Sequence, residues 1–141
     1  MEIVFFVDRN LGKQFPITLR EHGLRAELHD DHFAQGTKDL EWIPFVAKKQ
    51  WIAVTMDDRI RYNPVEQAIV FDSGLRLLLL AGKPPLKLHA ENVWRSMLAI
   101  ERFVSRNAPP WIAKLYRPSG ETARRRPVGS GRIELWRSAA P

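Results

Sequence analysis

The stretch Trp51-Ile52-Ala53-Val54-Thr55-Met56-Asp57-Asp58-Arg59-Ile60-Arg61-Tyr62-Asn63-Pro64-Val65-Glu66 decides how this chain is read. It opens on an unbroken apolar and β-branched run, the pattern of a strand buried on both faces. The run ends on two consecutive aspartates. Asn63, Pro64 and Glu66 then make a helix start: an amide N-cap, a proline in the first turn, and a glutamate three residues after the cap. A buried strand that ends on acids and passes into a helix is the repeating unit of a parallel α/β sheet.

The flanking sequence repeats the unit. Upstream, Ile3-Val4-Phe5-Phe6-Val7 is a second buried-strand run, and it ends on Asp8. A helix is expected from Leu11 to His22, disturbed by Pro16 and stopped by Gly23, followed by a weaker strand from Arg25 to His29 and a polar loop through Gly36. Thr37 is placed to cap a helix reaching Gln50. Downstream, the Asn63 helix closes near Ser73-Gly74, and Leu75 to Leu80 forms another buried strand before Ala81-Gly82. Leu88 to Asn107 reads as the longest helix, with Val93, Met97, Ile100 and Val104 along one face, and Trp111 to Tyr116 as a last strand. Trp94, Trp111 and the leucine run are read as core. The alternation predicts an α/β fold, a three-layer sandwich with a mostly parallel central sheet.

At 141 residues, 45% hydrophobic and 27% charged, the chain has the size and balance of one globular domain. Cysteine is absent, which excludes disulfides, thiolate zinc sites and cysteine nucleophiles. The net charge is +6, and residues 117–141 hold six arginines against two acids, so the tail carries +4 of it. The expected organisation is a folded domain over residues 1–116 and a basic tail over 117–141, either flexible or adding an extra strand. The opening apolar run is too short for a secretory signal, and no stretch is long enough to span a bilayer, so a cytoplasmic protein with no membrane contact is expected.

In a sheet of this kind ligands gather outside the carboxyl ends of the strands, at the switch point of strand order. Asp8, Asp57 and Asp58 stand at such ends, and Asp30 and Asp31 follow the weak strand. Asp39 and Glu41 fall in the first turn of the next helix. Oxygen donors of this type suit Mg²⁺ or Mn²⁺, which would activate water and offset charge on a phosphodiester. Each acid also has a plainer reading. Asp8 and Asp57-Asp58 can start turns, Asp39 and Glu41 can answer the helix dipole, and Pro44 can move the helix start past Asp39. His29 and His32 flank two aspartates as a mixed ligand set or as an ordinary polar loop. Arg59 and Arg61 can clamp a phosphate or stand in solvent. Other chemistries lack their motifs. Ser73 has no Gly-x-Ser-x-Gly context, and no glycine-rich phosphate loop follows the first strand.

Taken together, four segments resemble the PIN-like domains related to VapC-type toxins: Phe6-Val7-Asp8-Arg9-Asn10-Leu11; Asp31-His32-Phe33; Asp39-Leu40-Glu41-Trp42; and Val54 through Glu66 with its Thr-x-Asp and Arg-x-Arg-x-Asn-Pro-x-Glu pattern. The likeness spans about residues 3–116. It implies endoribonuclease activity on an RNA substrate with Mg²⁺ or Mn²⁺ held by Asp8, Asp39 and Asp57, often within a toxin–antitoxin pair. A cognate antitoxin protein and a homodimer are the partners it implies. A further acid expected shortly after the Thr-x-Asp strand has no single match, and Asp58 or Glu66 can substitute. On this basis Asp58, Glu41, Asp31 and Glu66 are supporting candidates, and Arg59 and Arg61 are phosphate-binding candidates. The alternative is a catalytically inactive PIN-like module that binds RNA or protein.

Overall fold

The computed structural model describes residues 2–118 and 130–138. Six strands form one sheet: β1 (Val4–Val7), β2 (Arg25–Leu28), β3 (Ile52–Thr55), β4 (Arg76–Leu80), β5 (Trp111–Tyr116) and β6 (Arg132–Ser138). Their order is β2-β1-β3-β4-β5-β6; the first five are parallel, and β6 runs antiparallel to β5. The helices are α1 (Gln14–Glu21), α2 (His29–His32), α3 (Asp39–Lys48), α4 (Pro64–Ser73), α5 (Leu86–Arg95) and α6 (Met97–Arg106). The expected mostly parallel α/β sandwich is what the chain forms.

Strand alternation divides the core in two. Phe5, Val7, Val54 and Leu78 face one side, where they pack with Phe15 and Leu19 of α1, Val93 of α5 and Ile100 of α6. Phe6, Ala53, Leu77 and Ile112 face the other, against Ile43 and Val46 of α3 and Val70 of α4. Both faces of β1, β3 and β4 are thus covered, which is why these strands read as continuous apolar runs. The chain moves from β1 to β2 on one side and to β3 on the other, so the switch point lies at the carboxyl ends of β1 and β3.

Several expectations shift locally. The first helix is two pieces, a 3₁₀ turn at Arg9–Leu11 and α1, separated by Gly12 at φ 66°. Residues 29–32, expected as loop, make the single turn α2. Thr37 does not cap α3: its hydroxyl donates to the Ala34 carbonyl at 2.6 Å, and the cap position falls to Lys38. Pro44 is accommodated inside α3. The long C-terminal helix bends at Ser96, giving α5 and α6. Trp94 is not core; it is 41% exposed and stacks on His22 with ring centroids 4.1 Å apart.

Part of the basic tail is strand β6. The Arg124-Arg125-Arg126 run lies outside the described residues. Entry to β6 is fixed by a buried polar cluster at the helix bend. The Gly131 N–H donates to the Ser96 hydroxyl at 2.8 Å, Ser96 donates to Asn92 Oδ1 at 3.3 Å, and Asn92 Nδ2 donates to the Tyr116 carbonyl at 3.4 Å. A Cβ on Gly131 would overlap the Tyr116 carbonyl oxygen and crowd the Asn92 amide. Gly131→Ala is therefore expected to displace β6 and destabilise the fold by about 2 kcal/mol. Thermal melting checks this, with Leu78→Ala as a core reference expected to cost about 3 kcal/mol. An unchanged melting temperature in Gly131→Ala would show that β6 is not docked through this cluster.

Candidate functional site

A half-enclosed cavity of about 340 Å³ opens at the switch point. Four carboxylates line it, each from a different element: Asp8 after β1, Asp39 at the start of α3, Asp57 after β3, and Glu66 in the first turn of α4. The parallel register of Val7 beside Val54 sets the first two strand ends at one level, and the Asp8 N–H donates to the Val54 carbonyl at 3.0 Å.

Each carboxylate has a local partner. The Thr55 hydroxyl donates to Asp8 Oδ2 at 2.7 Å and accepts from Asn10 Nδ2 at 3.0 Å and from the Asp57 N–H at 3.1 Å. A hydroxyl has one proton and two lone pairs, so Thr55 is saturated and its proton points at Asp8. Asp39 Oδ1 accepts from the Trp42 indole at 2.9 Å, and that indole stacks on Phe6 with ring centroids 5.6 Å apart. Asp57 is held by a guanidinium fork. Arg59 Nη2 donates to Oδ2 at 2.6 Å, Nε donates to Oδ1 at 2.9 Å, and the Arg59 N–H donates to Oδ1 at 3.0 Å. Asn63 accepts from the Glu66 N–H at 3.1 Å, the expected cap, and its amide approaches Glu66 Oε2 at 3.4 Å.

The electrostatics follow from this arrangement. The Arg59 fork holds the Asp57 carboxyl below its ordinary value. Glu66 moves the other way, to about 7, chiefly through burial and then through the negative charges of Asp39, Asp57 and Asp8; Arg59 offsets part of the rise. Among the described residues, no three carboxylate or imidazole side chains stand together as a ready-made metal cage. The donors lining the cavity are nonetheless the hard oxygens that suit Mg²⁺ or Mn²⁺, and the crowding of carboxylates around Glu66 is what a bound cation would relieve.

A sequence profile of the PIN like domain family matches residues 3–82, more than half of the chain. The chain belongs to the PIN-like domain family. It is also 36% identical over 108 residues to "Putative ribonuclease VapC45" of Mycobacterium tuberculosis, covering 73% of this chain and 76% of that protein. No solved structure matches. All four cavity acids fall inside the matched PIN-like segment, whereas β5 and β6 lie beyond it.

Of the residues singled out from the PIN-like pattern, the fold brings Asp8, Asp39, Asp57, Glu66 and Arg59 to one cavity. Asp31, Glu41 and Asp58 are exposed and do not line it. Arg61 does not line it either; its guanidinium lies 5.8 Å from the Tyr62 ring and 5.9 Å from that of Trp136. His29 is buried on the cavity wall, while exposed His32 meets Glu27 at 3.2 Å, so the two do not form a shared ligand pair. Residue types alone missed Thr55, Asn10 and Trp42. Thr55 carries the one usable signal, because a hydroxyl two residues before an aspartate at a strand end is positioned to bond both that residue's N–H and a neighbouring strand's end.

The raised Glu66 value has a stability consequence in ion-free protein. The folded state holds this proton more tightly than the unfolded chain, so the contribution is complete below the ordinary value of 4.5 and is lost as pH rises through about 7. Glu66→Gln should remove that loss. Variant and wild type are expected to melt together in acid, with the variant melting higher above neutrality; parallel curves across the range would refute the half-buried, charge-crowded position of Glu66.

Proposed function

We propose that this protein is a divalent-metal-dependent endoribonuclease of the PIN type and the toxin of a toxin–antitoxin pair. The observation that carries the reading is the convergence of Asp8, Asp39, Asp57 and Glu66, from four elements, on one cavity at the ends of parallel strands. The likeness to "Putative ribonuclease VapC45" supports RNA as the substrate class; a cognate antitoxin as partner and a cytoplasmic setting are part of the proposal.

In this reading Asp8, Asp39 and Asp57 would hold Mg²⁺ or Mn²⁺. When bound, such an ion activates a water for attack on phosphorus and offsets the charge that builds on the phosphodiester. The chain's own groups orient the ligands and the substrate. Thr55 fixes the Asp8 carboxylate, and Trp42 fixes that of Asp39. The Arg59 fork is 86% exposed on its side chain, and its geometry matches a phosphate as well as a carboxylate. Because the pair with Asp57 is solvated, it is weak, and a phosphate can compete for the guanidinium. Glu66, titrating at about 7, is suited to take up or release a proton at the cavity wall.

A non-catalytic RNA-binding or protein-binding module is the second reading, favoured by the same fork, whose guanidinium already pairs with both oxygens of Asp57. Cleavage of RNA with Mn²⁺, and its arrest by a chelator, separates the two. Asp8→Asn and Asp57→Asn are expected to lower the cleavage rate by about 100-fold or more, and Thr55→Val, which removes only the orienting hydroxyl, by about 10-fold to 100-fold. Chelator-insensitive cleavage, or equal rates in wild type and Asp57→Asn, would leave the binding-module reading.

A further inference from the structure

Outside the acid cavity, the described surface carries a chain of cations and aromatic rings along the β5–β6 edge that the proposed chemistry leaves unused. Ile112 packs in the same core cluster as Phe6, Ala53 and Leu77, which line the cavity face of the sheet or pack beneath it. Lys114 and Tyr116 follow Ile112 at two-residue spacing and so share that face. Their cross-strand partners are Glu134 and Arg132. The Arg132 guanidinium lies 4.7 Å from the Tyr116 ring centroid and the Lys114 ammonium 5.5 Å from it. Nearer α4, Arg61 stands between Tyr62 and Trp136 of β6. Glu134 is the acid in the run, and it pairs with Arg132 at 3.4 Å.

Tyr62 connects this edge to the cavity. It closes the 3₁₀ turn Asp58–Tyr62, of which Arg59 and Ile60 line the cavity. Three residues of such a turn span about 6 Å, roughly one nucleotide step along a strand. Tyr62 is 78% exposed, a large ring kept in water with no core to fill.

We propose that this edge is a docking site for single-stranded RNA, with a base stacked on Tyr62 and the backbone following Arg61, Lys114 and Arg132. The inference rests on the endoribonuclease reading for the strand's destination, the acid cavity. Phosphates match the repeated cations, and an open aromatic face takes an unpaired base of any identity. Base pairing hides that face in a duplex, so the site selects unpaired segments. An acidic peptide would satisfy the cations and leave the Tyr62 ring without a role.

The test uses the full chain in a chelating buffer, where RNA is bound but not cut, and a fluorescein-labelled oligouridylate of about 12 nucleotides. Fluorescence anisotropy should show Tyr62→Ala binding about tenfold more weakly, with affinity restored by Tyr62→Trp. Replacing Lys114 and Arg132 together by glutamine should lower the slope of log affinity against log salt by about 1.4, the loss of two phosphate contacts on a single strand. An RNA duplex should bind more weakly than the single strand and be indifferent to Tyr62→Ala. Wild-type affinity and slope in all these variants would overturn the docking site and turn the edge toward a protein partner, as would duplex binding equal to single-strand binding. Cleavage with Mn²⁺ is scored separately. Tyr62-dependent binding without cleavage supports the docking site and removes the enzyme reading, whereas cleavage with Tyr62-independent binding does the reverse.

Discussion

The parallel pairing of β1 with β3, Val7 beside Val54, is the contact on which the acid cavity depends. It brings two strand ends to one level, so that the Thr55 hydroxyl on β3 reaches the Asp8 carboxylate beyond β1. A slip of one residue would turn the Thr55 side chain to the opposite face of the sheet, toward α1 and α5, and leave Asp8 without its donor. What prevents the slip is apolar: Phe6 and Ala53 must face α3 while Phe5, Val7 and Val54 face α1 and its neighbours. The same burial that drives folding therefore sets the geometry of the polar cavity.

Two of the four acids in that cavity are compensated in opposite ways. Asp57 keeps its charge, because a guanidinium is forked onto both oxygens. Glu66 is deeper and crowded by three other carboxylates, and it gives up its charge near neutrality. Environments that push two carboxyls apart in this way create one group that remains anionic and one that exchanges a proton at physiological pH. Neither state is a property of aspartate or glutamate as such. Both come from where the chain ends β3 and begins α4.

Most of the fold was legible from the sequence because its central strands are buried on both faces and so read as unbroken apolar runs. Asp8 and Asp57 were legible for a related reason: the first acid after such a run has to stand at the strand's end. Asp39 and Glu41 show where residue type stops being sufficient. They are two positions apart on α3, about 200° around the helix, so only one can face the cavity, and the phase is set by Ile43 and Val46 packing inward. Asp58 fails similarly, because the 3₁₀ turn it opens carries it outward. The bend at Ser96 was not legible at all, since it is stabilised by Asn92, Tyr116 and the distant Gly131, a contact no local pattern contains. β6 read as tail or strand because it lies on an edge, where most of its side chains are left exposed and no alternation survives.

The two outer strands have a consequence for the behaviour of the molecule in a crowded solution. A sheet ends in rows of unpaired backbone groups, and an apolar edge would recruit a further strand from any neighbouring copy. Here β2 carries Arg25 and Glu27 in its four residues, with Arg25 already paired to Glu2 at 2.7 Å, and β6 carries Arg132, Glu134 and Arg137. Adding a strand to either side would require stripping water from these charges or setting like charges opposite one another. Among the described residues the two edge strands thus guard the sheet against growth by the hydration of their own side chains, which works against this small, leucine-rich fold serving as a template for its own aggregation.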